Sequence, residues 1–144
     1  MMKIVIDTNV LVSALVSPES NPAKVLALAL NGRVAICYDS RIILEYEDVL
    51  RRPKFPFEPQ DVTGLIETIT QMGTAAVAEP LPDAFTDQTD KKFYEVAKHC
   101  SAKLVTGNIK HFSDDSDVIT PADFLKAVIS VFSKPRENLN YGVG

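Results

Sequence analysis

Asp7 is the first residue of the chain placed to do chemistry. It ends Lys3-Ile4-Val5-Ile6, an apolar, β-branched run that predicts a strand buried on both faces. In open α/β sheets, ligands bind outside the carboxyl ends of the strands. Asn108 stands just past a second such run, Lys103-Leu104-Val105-Thr106. If these two strands are neighbours, Asp7 and Asn108 face one crevice. Asp90 is followed by Phe93, Tyr94 and Ala97 at i+3, i+4 and i+7, which puts it on the buried face of its own helix. A charge there needs a partner or a metal. Glu45 lies at the edge of an apolar stripe made by Ile42, Tyr46, Val49 and Leu50.

Each acid also has a plainer reading. Asp7 can serve as a helix N-cap. Asp90 can interact with its helix N-terminus, worth roughly 0.3–1 kcal/mol. An ion pair with Arg41 or Arg52 is the simpler explanation of Glu45 from spacing alone. Taken together, three carboxylates from three segments repel one another unless a cation lies between them. A hard divalent cation such as Mg²⁺ takes oxygen ligands and keeps several waters. Such a centre orients a water, lowers its pKa and stabilises charge on a phosphate.

The elements that position these residues alternate. A helix-like segment begins at Val10-Leu11-Val12, after Asp7-Thr8-Asn9. Asn21 as cap with Pro22 at the first helical position predicts a helix ending near Asn31-Gly32. Residues 34–38 form a second strand, and Asp39-Ser40 caps the helix that carries Glu45. Pro53, Pro56 and Pro59 punctuate a loop before a helix over 61–72, which Gly73 stops. Residues 74–77 form a third strand, followed by a loop through Pro80 and Pro82. A helix over 90–100, the strand over 103–106 and a short strand at Val118-Ile119 come next. Thr120-Pro121 then starts the last helix, with Thr as cap. Strands alternating with helices predict a parallel sheet covered on both faces.

The chain has 144 residues, enough for one domain. With 46% hydrophobic and 24% charged residues it carries the material for one core, which argues against disorder. The net charge of -4 excludes a generally basic nucleic-acid-binding surface, so any contact with phosphates must be local. Cys37 and Cys100 form no CxxC pair and have no His at zinc-finger spacing, so both read as small core residues suited to a reducing cytoplasm. The opening residues lack the apolar segment of a signal peptide, and no stretch has the length of a membrane span. His99 reads as a helix-end residue, and His111 as part of a solvated loop.

Four segments in order carry a resemblance: Asp7-Thr8-Asn9 after a strand, Ile43-Leu44-Glu45-Tyr46, Asp87-Gln88-Thr89-Asp90-Lys91-Lys92-Phe93, and Leu104-Val105-Thr106-Gly107-Asn108. Over roughly residues 1–130 the chain resembles PIN domains, in particular the toxin components of toxin–antitoxin systems. No one motif is specific; their order and placement are. The resemblance implies a three-layer α/β/α fold with a central, mostly parallel sheet of four to five strands. The domain is expected over 1–133, and residues 134–144, which hold few large apolar side chains, are expected to be a loose tail. The resemblance also implies a ribonuclease that uses Mg²⁺ or Mn²⁺ and leaves a 5′-phosphate, an antitoxin protein as partner, and a homodimer. Carried over by position, Asp7, Glu45 and Asp90 are the metal-binding and catalytic acids. Asn9 orients Asp7 by hydrogen bonding, and Thr106 supports the metal-side network. Many PIN domains have an acid at the position of Asn108. An amide oxygen still ligates a hard cation but brings no charge, so a second metal binds weakly unless Asp87, Asp114 or Asp115 compensates. Lys91, Lys92 and Lys110 rim the site as candidate RNA contacts, alongside Arg41, Arg51, Arg52 and Lys54.

Two other classes compete. One is a PIN fold that binds RNA or protein without cleaving, which Asn108 favours and the three acids oppose. The other is phosphotransfer. A haloacid-dehalogenase phosphatase needs an Asp where Asn9 stands, and a P-loop or Rossmann domain needs a Gly-rich turn that residues 7–14 lack.

Overall fold

A computed structural model describes residues 1–78, 88–112 and 115–132. Five strands form one sheet: β1 (Lys3–Ile6), β2 (Ala35–Tyr38), β3 (Thr74–Ala75), β4 (Lys103–Val105) and β5 (Val118–Ile119). Their order is β3-β2-β1-β4-β5, and every pairing is parallel. The sheet is therefore all parallel and five-stranded. β1 lies at its centre, and Ile4, Val5 and Ile6 are all but inaccessible to solvent, as expected of a strand covered on both faces.

The helices are α1 (Thr8–Val16), α2 (Asn21–Leu30), α3 (Ser40–Leu50), α4 (Pro59–Met72), α5 (Gln88–Cys100) and α6 (Pro121–Phe132). The chain moves outward from β1 to β2 to β3, then returns past β1 to β4. Right-handed crossovers place the helices of the first two steps on one face and α5 on the other. Accordingly, α2 packs against α1, α4 and α6, while α5 packs on β1, β2 and β4. The reversal of direction falls between β1 and β4, so the carboxyl ends of these strands open the crevice where such folds bind ligands.

Several boundaries shift from the expected ones. α1 begins at Thr8 rather than near Val10, because the Asp7 carbonyl already accepts from the amides of Val10 and Leu11. Ser20, not Asn21, caps α2: its hydroxyl accepts from the Ala23 amide at 3.3 Å, leaving Pro22 second in the helix. α4 starts at Pro59, whose missing amide N–H is harmless at a first position. β3 is only two residues long. Gly73 ahead of it has no room for a side chain, since a Cβ would lie 2.6 Å from the Ile36 carbonyl oxygen. The strand at Val118–Ile119 and the Thr120 cap of α6 are as expected, with the Thr120 hydroxyl accepting from the Asp123 amide at 3.1 Å.

The core gathers Ile4, Val5, Ile6, Ile42, Tyr46, Phe93, Leu104 and Phe124. Cys37 lies within it. Burial first, and then the adjoining Cys100, pushes its thiol up to about 12, which makes it inert packing. The loop through Pro80 and Pro82 and the tail over 134–144 lie outside the described residues. Among those described, no helix is long and apolar enough to cross a membrane.

Candidate functional site

The pairing of β1 with β4 sets Ile6 opposite Val105. The next residues, Asp7 and Thr106, therefore leave the sheet side by side. The Asp7 amide donates to the Val105 carbonyl at 3.0 Å, and the Thr106 hydroxyl donates to Asp7 Oδ2 at 2.7 Å. The same hydroxyl accepts from the Asn108 amide at 3.1 Å. Asp7 is 4% exposed and Thr106 fully buried. Asp7 occupies the N-cap position of α1, yet its side chain caps nothing there. The capping explanation of Asp7 therefore fails, and its carboxylate faces the crevice.

Glu45 arrives on α3, which packs against both α1 and α5. Its neighbour Tyr46 is fully buried and donates its hydroxyl to the Ile6 carbonyl at 2.5 Å. This contact pins α3 to the end of β1 and fixes where Glu45 stands. The Thr8 hydroxyl donates to Glu45 Oε2, and Lys92 Nζ lies 2.6 Å from Glu45 Oε1. The ion pair with Arg41 or Arg52 does not form. Arg41 binds Asp39 and Glu95 across to α5, and Arg52 binds Asp48 one turn away on the exposed face. Asp90, in the first turn of α5, lies 2.8 Å from Nδ1 of His111. His111 sits on a short 3-10 turn, Ile109–His111, which follows Asn108 directly. It is thus part of the site rather than a bare loop residue.

The electrostatics set Asp7 apart. Burial raises its pKa first. The Thr106 hydrogen bond works against that, and the charges of Asp90 and Glu45 then raise it further. The three acids are near enough to repel. Lys92 brings a positive charge to Glu45, and the His111 ring is hydrogen-bonded to Asp90. Among the described residues, no three His, Cys, Asp or Glu side chains form a preassembled metal cage. The donor chemistry nevertheless fits a hard cation: carboxylate oxygens from three elements, the most buried of them held by the Thr106 hydroxyl and the Thr8 backbone and opposed by like charge from the other two.

The other expected site residues fall as follows. Asn9 is exposed, and the hydrogen bond that orients Asp7 comes from Thr106 instead. Asn108 is exposed at the crevice rim. Lys91 and Lys92 are half-buried beside Asp90, and Lys110 is exposed on the turn after Asn108. Asp115 is turned away, bound by the hydroxyl of Tyr94 and the ammonium of Lys98. Burial alone would raise its carboxyl, but these contacts outweigh it and hold the pKa at about 2. Asp115 therefore does not compensate for Asn108, and Asp87 and Asp114 lie outside the described residues. The sequence reading missed Thr8, the hydroxyl of Tyr46 and the His111–Asp90 contact. The position of Thr8 right after Asp7 was the only signal for any of them.

Comparison with known proteins agrees with this geometry. A model described as PIN domain matches residues 3–110. An uncharacterised protein of Methanocaldococcus jannaschii, MJ1680, is 28% identical over 125 residues, covering 85% of this chain and 76% of its own length. The crystal structure of VapBC2 from Rickettsia felis, bound to a DNA fragment from their promoter, shares the fold. Its TM-score is 0.55 at 16% identity, over 83% of this chain and 97% of that one. The arrangement of Asp7, Glu45 and Asp90 around the β1–β4 switch point and the match over most of the sequence agree: the chain belongs to the PIN domain family.

Proposed function

We propose that this protein is a metal-dependent endoribonuclease that hydrolyses RNA phosphodiesters and acts as the toxin of a toxin–antitoxin pair. The observation that carries the proposal is the buried carboxylate of Asp7, held by Thr106 and opposed by the charges of Glu45 and Asp90. Such a group is stable as an anion when a cation shares the crevice. Asp7, Glu45 and Asp90 would hold Mg²⁺ or Mn²⁺, with the Asn108 amide oxygen as a neutral further donor. The ion, when bound, activates a water and neutralises charge on the phosphate. The chain's own residues do the rest. Thr106 fixes the carboxylate plane of Asp7. Thr8 and Tyr46 place Glu45, and His111 steadies Asp90. Lys91, Lys92 and Lys110 offer charge to the RNA backbone around an otherwise acidic centre.

The fold shared with VapBC2, a complex bound to promoter DNA, supports a protein partner for this chain. The family resemblance supports that partner being an antitoxin and the free protein a homodimer. A second reading, a PIN fold that binds RNA or protein and cleaves poorly, is favoured by the uncharged Asn108. Incubation with a mixed pool of structured and single-stranded RNAs separates the two. Cleavage with Mn²⁺ or Mg²⁺ that EDTA stops is the expected result. A folded, metal-binding protein that cuts nothing in the pool supports the binding module instead.

A further inference from the structure

Beside the acids lies a cavity of about 390 Å³, a size that suits a small organic ligand. Asn9 and Asn108 form its wall toward Asp7, and Ser13, Asn21 and Thr120 bring further polar groups. The apolar part comes from Val10, Pro22, Pro121 and Ala122. Among the described residues, no charged side chain lines it. It opens between the start of α1, the N-terminus of α2 and the N-terminus of α6, on the side of the crevice away from α5.

These helix ends are not anion cradles. The Ser20 hydroxyl already accepts from Ala23, and the Thr120 hydroxyl already accepts from Asp123. Pro22 and Pro121 remove two more amide donors from the same helix starts. A neutral, amide-rich cavity with flat apolar walls therefore disfavours a phosphate and suits an uncharged, planar, hydrogen-bonding group. The side chains of Asn9, Ser13, Asn21 and Asn108 have no hydrogen-bond partner among the described residues, so their donors and acceptors are open to a ligand. An amide presents a donor and an acceptor side by side, the pattern that reads the edge of a base. Single-stranded RNA is recognised through unstacked bases of this kind.

We infer that this cavity is a nucleobase subsite, which takes the base next to the scissile phosphate and sets the sequence preference of cleavage. This rests on the ribonuclease reading for its role in cleavage, though base binding itself does not. Asn21 is the discriminating residue. It lines the cavity from α2, lies outside the acid cluster, and is not the cap of its helix.

The test titrates the full chain with each of the four nucleoside 5′-monophosphates and with inorganic phosphate, followed by backbone amide chemical shifts. Shifts at Ser13, Asn21 and Ala122 that differ among the bases, and that phosphate alone does not produce, are expected. Asn21→Ala should weaken the preferred nucleotide about tenfold, the discrimination of one bidentate amide contact. It should also flatten the base preference of cleavage on random-sequence RNA. Nucleotides that shift only what phosphate shifts overturn the inference, as does an Asn21→Ala protein with unchanged affinity and preference. Base-dependent shifts in a protein that cuts no RNA would retain the subsite and sink the nuclease. Metal-dependent cutting with a preference indifferent to Asn21 would do the reverse.

Discussion

The chain twice follows a buried strand with an aspartate and a hydroxyl residue, Ile6-Asp7-Thr8 after β1 and Tyr38-Asp39-Ser40 after β2. Both aspartates are buried, and both stand at the N-cap position of the next helix. Their treatment is opposite. Asp39 is fully employed by the fold: Oδ1 accepts from the Ile42 amide at 3.1 Å, and Oδ2 pairs with the Arg41 guanidinium at 2.7 Å. Arg41 in turn reaches Glu95 at 2.8 Å, so a second buried acid is neutralised by the same cation. Asp7 makes no side-chain cap of α1, is held by the Thr106 hydroxyl and the Thr8 backbone with no cation beside it among the described residues, and faces two more carboxylates. One slot builds structure from an acid. The other leaves the acid short of positive charge, at the point where the sheet reverses direction.

The contrast breaks most sharply on substitution. Asp7→Asn keeps the shape and removes the charge, and should lower RNA cleavage by about 10³-fold or more, a loss of ~4 kcal/mol in transition-state stabilisation. Asp39→Ala should leave metal binding intact and lower stability by about 1–3 kcal/mol, through the lost cap and the orphaned guanidinium. Denaturant titration and cleavage assays on the two variants read these outcomes directly. If Asp39→Ala lost metal and Asp7→Asn did not, the roles would be reversed.

Four smaller effects sharpen the same contrast. Thr106→Val removes the hydroxyl that orients Asp7 and should cost 10- to 100-fold in metal affinity, on the order found for outer-shell partners of metal ligands. Thermal melts in EDTA probe Asp7 through pH. Its folded pKa is raised above the ordinary 3.8, so its contribution to stability is present below that value and is lost as pH rises through the folded pKa. Wild type should thus fall behind Asp7→Asn as pH rises toward neutral, and added Mg²⁺ should reverse the order. Asp115 behaves oppositely. Its pKa, held at about 2, gives stability that is present above the ordinary value of 3.8 and lost as pH falls toward 2. Asn108→Asp should tighten Mg²⁺ severalfold by adding a charge at the rim. Unchanged affinity in a calorimetric titration would remove Asn108 from the set of donors.

Much of the frame was readable from local pattern. Short apolar runs marked β1, β2 and β4, and the caps Asp39 and Thr120 marked α3 and α6, because strand burial and helix capping are decided by neighbours in sequence. β3 came out short, and α1 and α4 began early, since backbone hydrogen bonding at helix starts does not depend on side-chain pattern. The acids were legible as a set only through the order of the motifs. Their partners were not. Glu45 looked like a partner for Arg41, one helical turn away on its own helix. That guanidinium is claimed by Glu95 from α5, and Lys92 from α5 takes Glu45 instead. Long-range choices of this kind depend on how α5 lies across the sheet. The same holds for the contact between His111 and Asp90, separated by 21 positions.

The most direct test of the site is a calorimetric titration of Mn²⁺ into metal-free wild type, Asp7→Asn and Asp39→Ala. Saturable binding that Asp7→Asn abolishes and Asp39→Ala retains is the predicted result. No binding by the folded wild type, or equal binding by Asp7→Asn, would contradict the assignment of Asp7, Glu45 and Asp90 as a metal centre.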